Sequence, residues 1–415
     1  MKIKVSEELL SFAKIIGKKA DLYVVGGYVR NYLLGIGDSD VDLASKLTIE
    51  SLEELLKNTN YKLKDKNTLL GTARIVINNE VWDYATFRKE KYANDGSHTP
   101  EKVTFITDVR QDAKRRDFTV NAIYYNILKD EIIDIYSGLY DIKKKRIRTI
   151  ETPDYVFEND GLRILRMVRQ ACELNFKIHR ETYIKAKQMV YRLKDISGTR
   201  KAYEMDRILN SSGKFTVSKA NSYKRGLYLF NIMGIWPTIF GGVTKINYDI
   251  VNKVRQENRF LGLMIDMINT LQPDSISNYL EYVLGKDGLM FSKQQQKDVV
   301  SIVNGYFDAN HKLSNKMFFF LYYPYFEKIG QLLQKKSKLK YKKYNFYFKY
   351  INKYKIPTGL KDLKITGADL KENFADLPEK EYSNTLMELF NRVFDGKVKN
   401  EKESLIEEVK KIGNS

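Results

Sequence analysis

Two aspartates at alternate positions, Asp40 and Asp42, are the residues of this 415-residue sequence whose type and spacing most directly suggest chemistry. Alternate residues of a strand project to one face, so both carboxylates would point the same way. Carboxylate oxygens are the ligands that Mg²⁺ prefers, usually together with substrate phosphates. The pair therefore predicts a catalytic site for one or two Mg²⁺ ions, although a single pair of this kind is more often an exposed strand face.

A glycine pair, Gly26 and Gly27, precedes the aspartates and directly follows an apolar run. Glycines have no Cβ, so backbone N–H groups can approach a triphosphate closely, and a helix beginning just beyond them adds partial positive charge. Arg30, about one turn into that helix, would neutralise phosphate charge. A glycine pair alone is a weak indication, but together with the aspartates it predicts a nucleoside triphosphate beside the metal ions.

The strands and helices predicted around these residues indicate an α+β head domain. Short β-type runs are predicted at 22–25, 73–77, 103–105 and 132–135, and helices at 6–16, 28–34 and 50–57. From about residue 155 onward the apolar spacing becomes helical, and amphipathic helices are predicted at 160–174, 180–192, 199–210 and 258–270. We expect an α+β head with a mixed sheet, followed by packed helices.

Composition narrows the function classes. The formal net charge of +19 favours a polyanionic partner, although a lysine-rich proteome would give the same charge. One cysteine, Cys172, excludes an intramolecular disulfide, and with only His98, His179 and His311 a zinc cluster is not expected. No stretch approaches the roughly 20 apolar residues that span a bilayer. We expect a cytoplasmic protein without membrane association.

Residues 335–355 form a basic, aromatic segment without any acidic residue. Its lysines could meet RNA phosphates while its tyrosines and phenylalanines stack on bases. A helix that buries its aromatic rings and solvates its lysines fits equally well. The candidate RNA-binding residues are Lys335, Lys336, Lys338, Lys340, Lys342 and Lys343.

The combination of residues 26–30 (GGYVR) with Asp40-Val41-Asp42 resembles the class II tRNA nucleotidyltransferases, the CCA-adding enzymes of the polymerase-beta-like superfamily. Bacterial poly(A) polymerases share the same head. Residues 363–370 and 394–405 extend the resemblance into the last helices. The resemblance implies a catalytic head at 1–145, a helical neck that recognises the nucleobase at 146–212, a helical body at 213–325 and a helical, tRNA-binding tail at 326–415.

Two further motifs of the head carry the resemblance. Residues 83–88 (DYATFR) look like the family's strand with a third acidic position, which would place Asp83 beside the metal pair as a catalytic residue. A lone strand carboxylate could also simply be solvated. Residues 115–122 (RRDFTVNA) resemble a motif in which Arg116 contacts the nucleotide and Asp117 reads the ribose 2′-hydroxyl. The alternative is a surface cluster of ion pairs.

Residues 159–169 resemble the family's base-reading motif, in which the counterparts of Asp160 and Arg163 hydrogen-bond to the incoming base. A carboxylate accepts from the exocyclic amine that C and A share, and a guanidinium donates to ring acceptors. With Arg166 and Arg169, which could hold phosphate or base, these residues recur every three positions on a predicted helix. Without the upstream motifs, such a stripe would be a solvated face.

Other segments are similar to segments that move, or that brace the neck helices, in enzymes of this family. Residues 89–105 look like the flexible loop that helps the switch from C to A addition, and their full length argues against an enzyme that adds only CC. Within them His98 stands where an arginine is common. Residues 134–138 resemble the hinge between head and neck, and Arg200 and Glu204 are interpreted as structural braces.

The resemblance implies template-independent addition of C, C and A to the 3′ end of tRNA from CTP and ATP, with release of pyrophosphate by two-metal catalysis on Mg²⁺. The tRNA would be held by its acceptor and TΨC arms, and no obligatory protein partner is expected. A bacterial poly(A) polymerase or a partial enzyme that adds only A stays open. So does a non-catalytic RNA-binding protein.

Overall fold

The computed structural model describes residues 3–36, 40–92, 100–211, 222–310 and 313–413, and it divides into two units. One unit comprises Met1–Lys245 with Lys286–Met290, and the other comprises Ile246–Gly285 with Phe291–Ser415. Each unit buries its own apolar side chains. In the described ranges no helix is both long and apolar enough to cross a bilayer.

A mixed sheet of seven strands lies at the centre of the first unit, which also contains two smaller two-stranded sheets. The strands are β1 (Tyr23–Val25), β2 (Val41–Ser45), β3 (Lys62–Asn67), β4 (Thr72–Ile77), β5 (Glu80–Thr86), β6 (Arg88–Tyr92), β7 (Pro100–Phe105), β8 (Ile123–Asn126), β9 (Glu131–Asp134), β10 (Arg146–Ile147) and β11 (Lys177–Ile178). The large sheet has the order β3-β4-β5-β2-β1-β8-β9. In it β2 and β5 run parallel, and the other neighbouring pairs are antiparallel. β6 and β7 form a separate antiparallel ribbon, and β10 and β11 a short parallel one.

Eleven described helices complete the first unit. Side-chain caps fix two helix starts, because Ser6 accepts the Leu9 N–H and Thr48 accepts the Ser51 N–H. The helices are α1 (Glu7–Ile16), α2 (Gly27–Leu33), α3 (Ile49–Leu56), α4 (Val109–Lys114), α5 (Gly138–Lys143), α6 (Pro153–Asn159), α7 (Leu162–Glu173), α8 (Arg180–Gln188), α9 (Gly198–Leu209), α10 (Ser222–Met233) and α11 (Trp236–Phe240). α7 is buried along almost its whole length and packs against α6, α9 and α10. It forms the core of the helical part of this unit.

The described part of the second unit consists of helices and their connections. The helices are α12 (Arg259–Leu271), α13 (Ile276–Leu284), α14 (Lys293–Asp308), α15 (Asn315–Tyr322), α16 (Phe326–Lys336), α17 (Lys338–Tyr354), α18 (Gly367–Asn373), α19 (Tyr382–Phe394) and α20 (Lys402–Gly413). A capping box between Ser292 and Gln295 starts α14. Buried residues of α18, α19 and α20, with Leu363 and Ile365, form one apolar cluster.

The predicted fold class, an α+β head with a mixed sheet followed by helices, is confirmed. The predicted strands and most predicted helices correspond to observed elements with small shifts at their ends, but the helix predicted at 180–192 ends at Gln188 and is followed by a 3-10 helix over Val190–Asp195. The basic segment 335–355, for which a helix was one of two interpretations, is helical on both sides of Ser337, whose hydroxyl accepts the Lys340 N–H and starts α17. His98 lies outside the described residues, and the boundaries of neck, body and tail stay predictions.

Candidate active site

A polar cleft of about 380 Å³ in the first unit brings together the residues predicted for catalysis and nucleotide binding. Its walls come from the β1–α2 turn, strands β2 and β5, the segment 115–121 and helices α7 and α9. Every predicted residue lines it, namely Gly26, Gly27, Arg30, Asp40, Asp42, Asp83, Arg116, Asp117, Asp160, Arg163, Arg166 and Arg169. The geometry therefore agrees with one shared site, while the role of each residue stays a prediction.

Three carboxylates occupy the floor of this cleft. Asp42 on β2 and Asp83 on β5 are direct neighbours across the parallel strand pair, and the exposed Asp40 precedes β2. Burial raises the pKa of Asp42 to about 6, Asp83 and Asp40 add to the increase, and Arg116 opposes it. Ionisation of Asp42 is thus less favourable than in water, and a further cation at this position would favour it.

The acidic floor fits a hard divalent cation. Its donors are carboxylate oxygens, and like charges brought together gain from a cation between them. Among the described residues no three carboxylate, histidine or cysteine side chains complete a metal site by themselves. Asp40 and Asp42 would therefore hold the ion together with substrate phosphates and water, which is the usual way in which proteins bind Mg²⁺.

Arg74 on β4 was not predicted, although it borders the acidic floor. It is the cross-strand neighbour of Asp83, and its Nε lies 3.4 Å from Asp83 Oδ1. Its Nη1 lies 3.0 Å from Asp65 Oδ2. A second recess of about 570 Å³ contains Arg74 and shares Asp42 and Asp83 with the cleft. The carboxylates of Asp42 and Asp83 thus border both the cleft and the second recess.

The glycine turn is fixed by its neighbour across the sheet. Gly26 has a φ of +77°, and a Cβ at this position would lie 2.9 Å from Asp42 Oδ2. Arg30 is buried and donates to Asn31 Oδ1 through Nε at 3.0 Å and Nη2 at 2.8 Å. Its Nη1 donates to Asn121, and burial lowers the pKa of Arg30 to about 10. Arg30 is therefore anchored in the wall and keeps only part of its hydrogen-bonding capacity for a ligand.

Arg116 and Asp117 both have partners within the protein. Arg116 Nε donates to the Tyr124 hydroxyl at 2.7 Å; although burial opposes the charge, Tyr124 and Asp112 raise the pKa of Arg116. Asp117 is buried and accepts from Asn121 Nδ2 at 2.9 Å and from the Phe118 N–H at 2.8 Å through one oxygen. Its other oxygen accepts from Arg166 on α7, so a ribose contact by Asp117 would be an additional bond.

Asp160 is not on a helix, contrary to the sequence prediction. α6 ends at Asn159, α7 begins at Leu162, and Asp160 between them has extended backbone with φ −153°. Its Oδ1 accepts the Leu162 N–H at 3.0 Å. The next residue, Gly161, has helical backbone, and a Cβ there would lie 2.6 Å from the backbone oxygen of Arg192, so this close approach favours glycine.

The arginines of α7 differ in the hydrogen bonds and ion pairs that hold their side chains. Arg163 Nη2 donates to the Arg115 carbonyl at 2.7 Å. Arg169 lies between Glu204, 2.6 Å from its Nε, and Glu173, 2.9 Å from its Nη1, and its side chain is only 8% exposed. Arg169 thus serves the packing of α7 against α9, and the predicted bracing role of Glu204 agrees with this contact.

Sequence reasoning treated Arg200 as a brace, but its side chain reaches the cleft. Arg200 Nη2 lies 3.8 Å from Asp160 Oδ2, and its Nη1 is buried without a hydrogen-bond partner. The cleft is also lined by Arg115 and Asn121, which belong to the motif 115–122 but were given no separate role, and by Asn31, Gln170, Glu173 and Arg207, which the motifs did not indicate. For these four, the helical spacing from motif residues on α2, α7 and α9 was the available signal.

The candidate RNA-binding lysines lie in the second unit, on α16 and α17. Lys340 donates to Asn310 Oδ1 at 2.8 Å, and Lys336 lies 4.0 Å from Asp249. The other four, Lys335, Lys338, Lys342 and Lys343, are exposed. Lys343 lies 5.5 Å from the ring of Tyr344, so three of the six candidates also have contacts within their own unit.

Comparison with known proteins identifies the domains that the chain carries. Residues 22–148 match the family described as the poly A polymerase head domain, and residues 273–409 match tRNA nucleotidyltransferase domain 2. A CCA-adding enzyme of Ligilactobacillus salivarius is 28% identical over 399 residues, covering 94% of this chain and 93% of the relative. The chain therefore carries a poly A polymerase head domain and a tRNA nucleotidyltransferase domain. The chain is a nucleotidyltransferase.

Two further members of the CCA-adding family are similar to the chain. The CCA-adding enzyme of Staphylococcus aureus strain RF122 is 32% identical over 258 residues, covering 62% of each chain. The crystal structure of the Bacillus stearothermophilus CCA-adding enzyme in complex with CTP has a TM-score of 0.75 and 22% identity, covering 98% of this chain and 97% of that chain. This second likeness concerns the fold, and it extends over both units of the chain.

Proposed function

We propose that the chain adds C, C and A to the 3′ end of tRNA, using CTP and ATP and releasing pyrophosphate. The observation that carries the proposal is the single cleft that contains both a carboxylate floor and the pair Asp160 and Arg163. The first feature suits nucleotidyl transfer, and the second suits recognition of a base by protein side chains. The names of the full-length relatives support the same reaction.

The proposed transfer step divides between a metal site and the residues around it. A divalent cation such as Mg²⁺, held by Asp40 and Asp42, would activate the 3′-hydroxyl and neutralise charge on the leaving pyrophosphate. We assign Asp83 to the same carboxylate floor as a further catalytic residue, because it is the direct neighbour of Asp42 across the parallel strand pair. The missing side chains at Gly26 and Gly27 leave room for the triphosphate, and Arg116 lies beside it.

Base selection is assigned to Asp160 and Arg163. Asp160 uses Oδ1 to cap α7, so Oδ2 is the oxygen that we assign to the exocyclic amine of C or A. Arg163 donates through Nη2 to the Arg115 carbonyl and through Nη1, at 3.5 Å, to the Val156 carbonyl, so we assign its remaining donor capacity to ring acceptors of the base. G and U present donors and acceptors in the wrong places for this pair.

RNA binding is assigned to the second unit through phosphates rather than sequence. The net charge of +19 and the exposed lysines of α16 and α17 support contact with the acceptor and TΨC arms of tRNA. Neutralised phosphates release counterions, so binding should weaken steeply with salt. Any pair of the exposed lysines, replaced by glutamine, should flatten that dependence.

Extension of defined tRNA transcripts tests the proposal. The purified protein is incubated with Mg²⁺ and transcripts ending before CCA, after C and after CC, and products are sized at one-nucleotide resolution with CTP, ATP or both. We expect completion to CCA followed by a stop, abolished in Asp40→Ala and kept in Asp65→Asn. Long A tails would instead indicate a poly(A) polymerase, A added only after CC a partial enzyme, and no extension a non-catalytic RNA-binding protein.

A further inference from the structure

Helix α17 presents four large apolar residues to solvent along one face. Their separations of seven, four and four positions follow one helical stripe. Between 45% and 81% of each residue is exposed. The residues, which we call the α17 stripe, are Leu339, Phe346, Tyr350 and Tyr354.

The stripe is not the core face of its helix. Tyr344 and Ile351, on the other side of α17, are buried. The ring of Tyr344 lies 4.3 Å from that of Phe318, and Phe348 lies 4.6 Å from Phe326. These contacts fix α17 to its unit and use a different set of side chains. The structure therefore divides the aromatic residues of segment 335–355 into a packed set and an exposed one.

Exposed lysines share the face of the stripe. Helical geometry places Lys342, Lys343 and Lys353 on the same side as Phe346 and Tyr350. The Lys353 ammonium group lies 5.2 Å from the ring of Tyr354. Since segment 335–355 contains no acidic residue, the whole face is cationic. The partner that complements this charge is an anion.

The chemistry of the face selects one kind of anion. Three of its four apolar residues are aromatic, and the rings of Tyr350 and Tyr354 lie 4.8 Å apart, inclined at 52°. Aromatic rings interleaved with ammonium groups suit unpaired nucleotides, because every base has a face that stacks and every phosphate a charge that lysine neutralises. A helix that lies in a lipid surface presents a broad aliphatic face, whereas Leu339 is the single aliphatic residue of this stripe.

We propose that the α17 stripe is a stacking platform for unpaired bases of the RNA substrate, with Lys342, Lys343 and Lys353 holding the adjoining phosphates. The choice of RNA as the occupant rests on the proposed function. The platform explains why large rings remain in solvent on a helix whose opposite side is already packed. It also assigns to the second unit a contact with bases, in addition to contacts with phosphates.

Replacement of the rings by leucine separates stacking from charge. The variant Phe346→Leu/Tyr350→Leu/Tyr354→Leu keeps a helix-forming apolar face but removes the aromatic surfaces. Tyr282→Leu is the matched control, because Tyr282 is 58% exposed on α13 of the same unit. A second variant, Lys342→Gln/Lys343→Gln/Lys353→Gln, removes charge and keeps the rings. The dissociation constant for a tRNA transcript is measured for each at several salt concentrations, and nucleotide addition is assayed on the same samples.

We expect the leucine variant to bind the transcript about tenfold or more weakly with an unchanged salt slope, since stacking does not release counterions. The glutamine variant should reduce the salt slope by roughly 2, and Tyr282→Leu should match the parent. A dissociation constant of the leucine variant within about twofold of the parent would overturn the platform. The platform would also be overturned if the variant kept its RNA affinity but lost binding to vesicles containing phosphatidylserine. If the triple variant unfolds, Phe346→Leu and Tyr350→Leu are measured singly, with about threefold weaker binding expected of each.

The two proposals fail in different ways. Ring-dependent tRNA binding by a protein that adds no nucleotides would support the platform and reject CCA addition. Normal addition with ring-independent binding would reject the platform alone.

Discussion

Arg166 donates two hydrogen bonds to one carboxylate oxygen of Asp117, from Nε at 2.9 Å and from Nη2 at 2.7 Å. The contact joins helix α7 to the segment that carries Arg116, so it ties two walls of the cleft together. Although burial opposes ionisation, Arg166 and Asn121 hold the pKa of Asp117 well below its usual range. The shape of the site thus depends on a charge pair that the predicted ligand contacts would share.

Asp117→Asn should lower the free energy of unfolding by about 1–3 kcal/mol, because the substitution leaves the Arg166 guanidinium without its carboxylate. The value lies below that for a fully buried pair, since the Arg166 side chain is 37% exposed and water screens it. Urea denaturation measures the change. The comparison variant is Lys371→Met, which breaks a pair with 71% of each side chain exposed and should change the stability little. Equal effects of the two substitutions would show that the Asp117 pair adds nothing to the fold.

Asp42→Asn should reduce the rate of nucleotide addition by roughly a hundredfold or more, the scale of removing one group that stabilises a transition state. Asp65→Asn changes a carboxylate on the same sheet that contacts Arg74 rather than lining the cleft, and it should keep most of the rate. Single-turnover extension of a transcript ending in CC measures both. Loss of activity in both variants alike would point to damage of the sheet instead of loss of a ligand.

Arg74→Ala should lower the Mg²⁺ concentration needed for half-maximal activity by about two- to fivefold, because a cation near Asp83 competes with the metal ion. The effect is small because the Arg74 and Asp83 side chains are both more than half exposed. Arg74→Lys retains the charge and should retain the parent's Mg²⁺ dependence. An equal shift in Ala and Lys variants would mean that the shape of Arg74, not its charge, matters.

Asp160→Asn should lower the preference for CTP and ATP over UTP and GTP by about ten- to a hundredfold, because an amide presents a donor where the carboxylate accepts. The measurement is kcat/KM for each of the four triphosphates on the three transcripts. Asp154→Asn, an exposed position on α6 that pairs with Lys185, serves as the control. An unchanged preference in Asp160→Asn would remove Asp160 from base selection.

Asp266 predicts a pH dependence of stability in the second unit. Burial raises the pKa of Asp266 to about 6, against the N–H groups of Ile250 and Val251, which favour the ionised form. The folded state therefore holds the proton more tightly than the unfolded state, whose pKa is near 4. The stabilisation of the folded state by the proton on Asp266 is complete below about pH 4 and is lost as the pH rises through about 6.

Asparagine at position 266 does not titrate. Relative to the Asp266→Asn variant, the free energy of unfolding of the parent should thus fall by about 1–3 kcal/mol between pH 4 and pH 7. Thermal unfolding followed by circular dichroism at both pH values measures the difference. Parallel pH profiles of the two proteins would contradict the assignment.

The sequence was sufficient for the parts of the fold that depend on local pattern. Apolar spacing predicted α1, β4 and α12 within a few residues, and the spacing of glycines and aspartates predicted Gly26, Gly27, Arg30, Asp40 and Asp42, whereas the other predicted cleft residues came from the resemblance to a family. What it could not supply depends on contacts distant in sequence. The pairing of Arg74 with Asp83 requires the order of β4 and β5 in the sheet, and Asp65 reaches Arg74 from a residue with φ +48° beside an irregular strand register.

The error at Asp160 concerns the local backbone. A three-residue spacing of charged side chains is compatible with a continuous helix, whereas in the structure the extended backbone of Asp160 separates α6 from α7. Arg200 was missed because its position depends on contacts distant in sequence. Its motif indicated a brace, whereas its distance from Asp160 depends on the packing of α9 against α7.

The order of the strands also has a consequence for biosynthesis. β1 lies between β2, which follows it closely, and β8, which is made about a hundred residues later, and the cleft draws its walls from residue 26 to residue 207. A nascent chain that has not yet exposed α7 and α9 therefore has the glycine turn and the carboxylate floor but no opposite wall. The complete cleft can form only after about half of the chain has emerged from the ribosome.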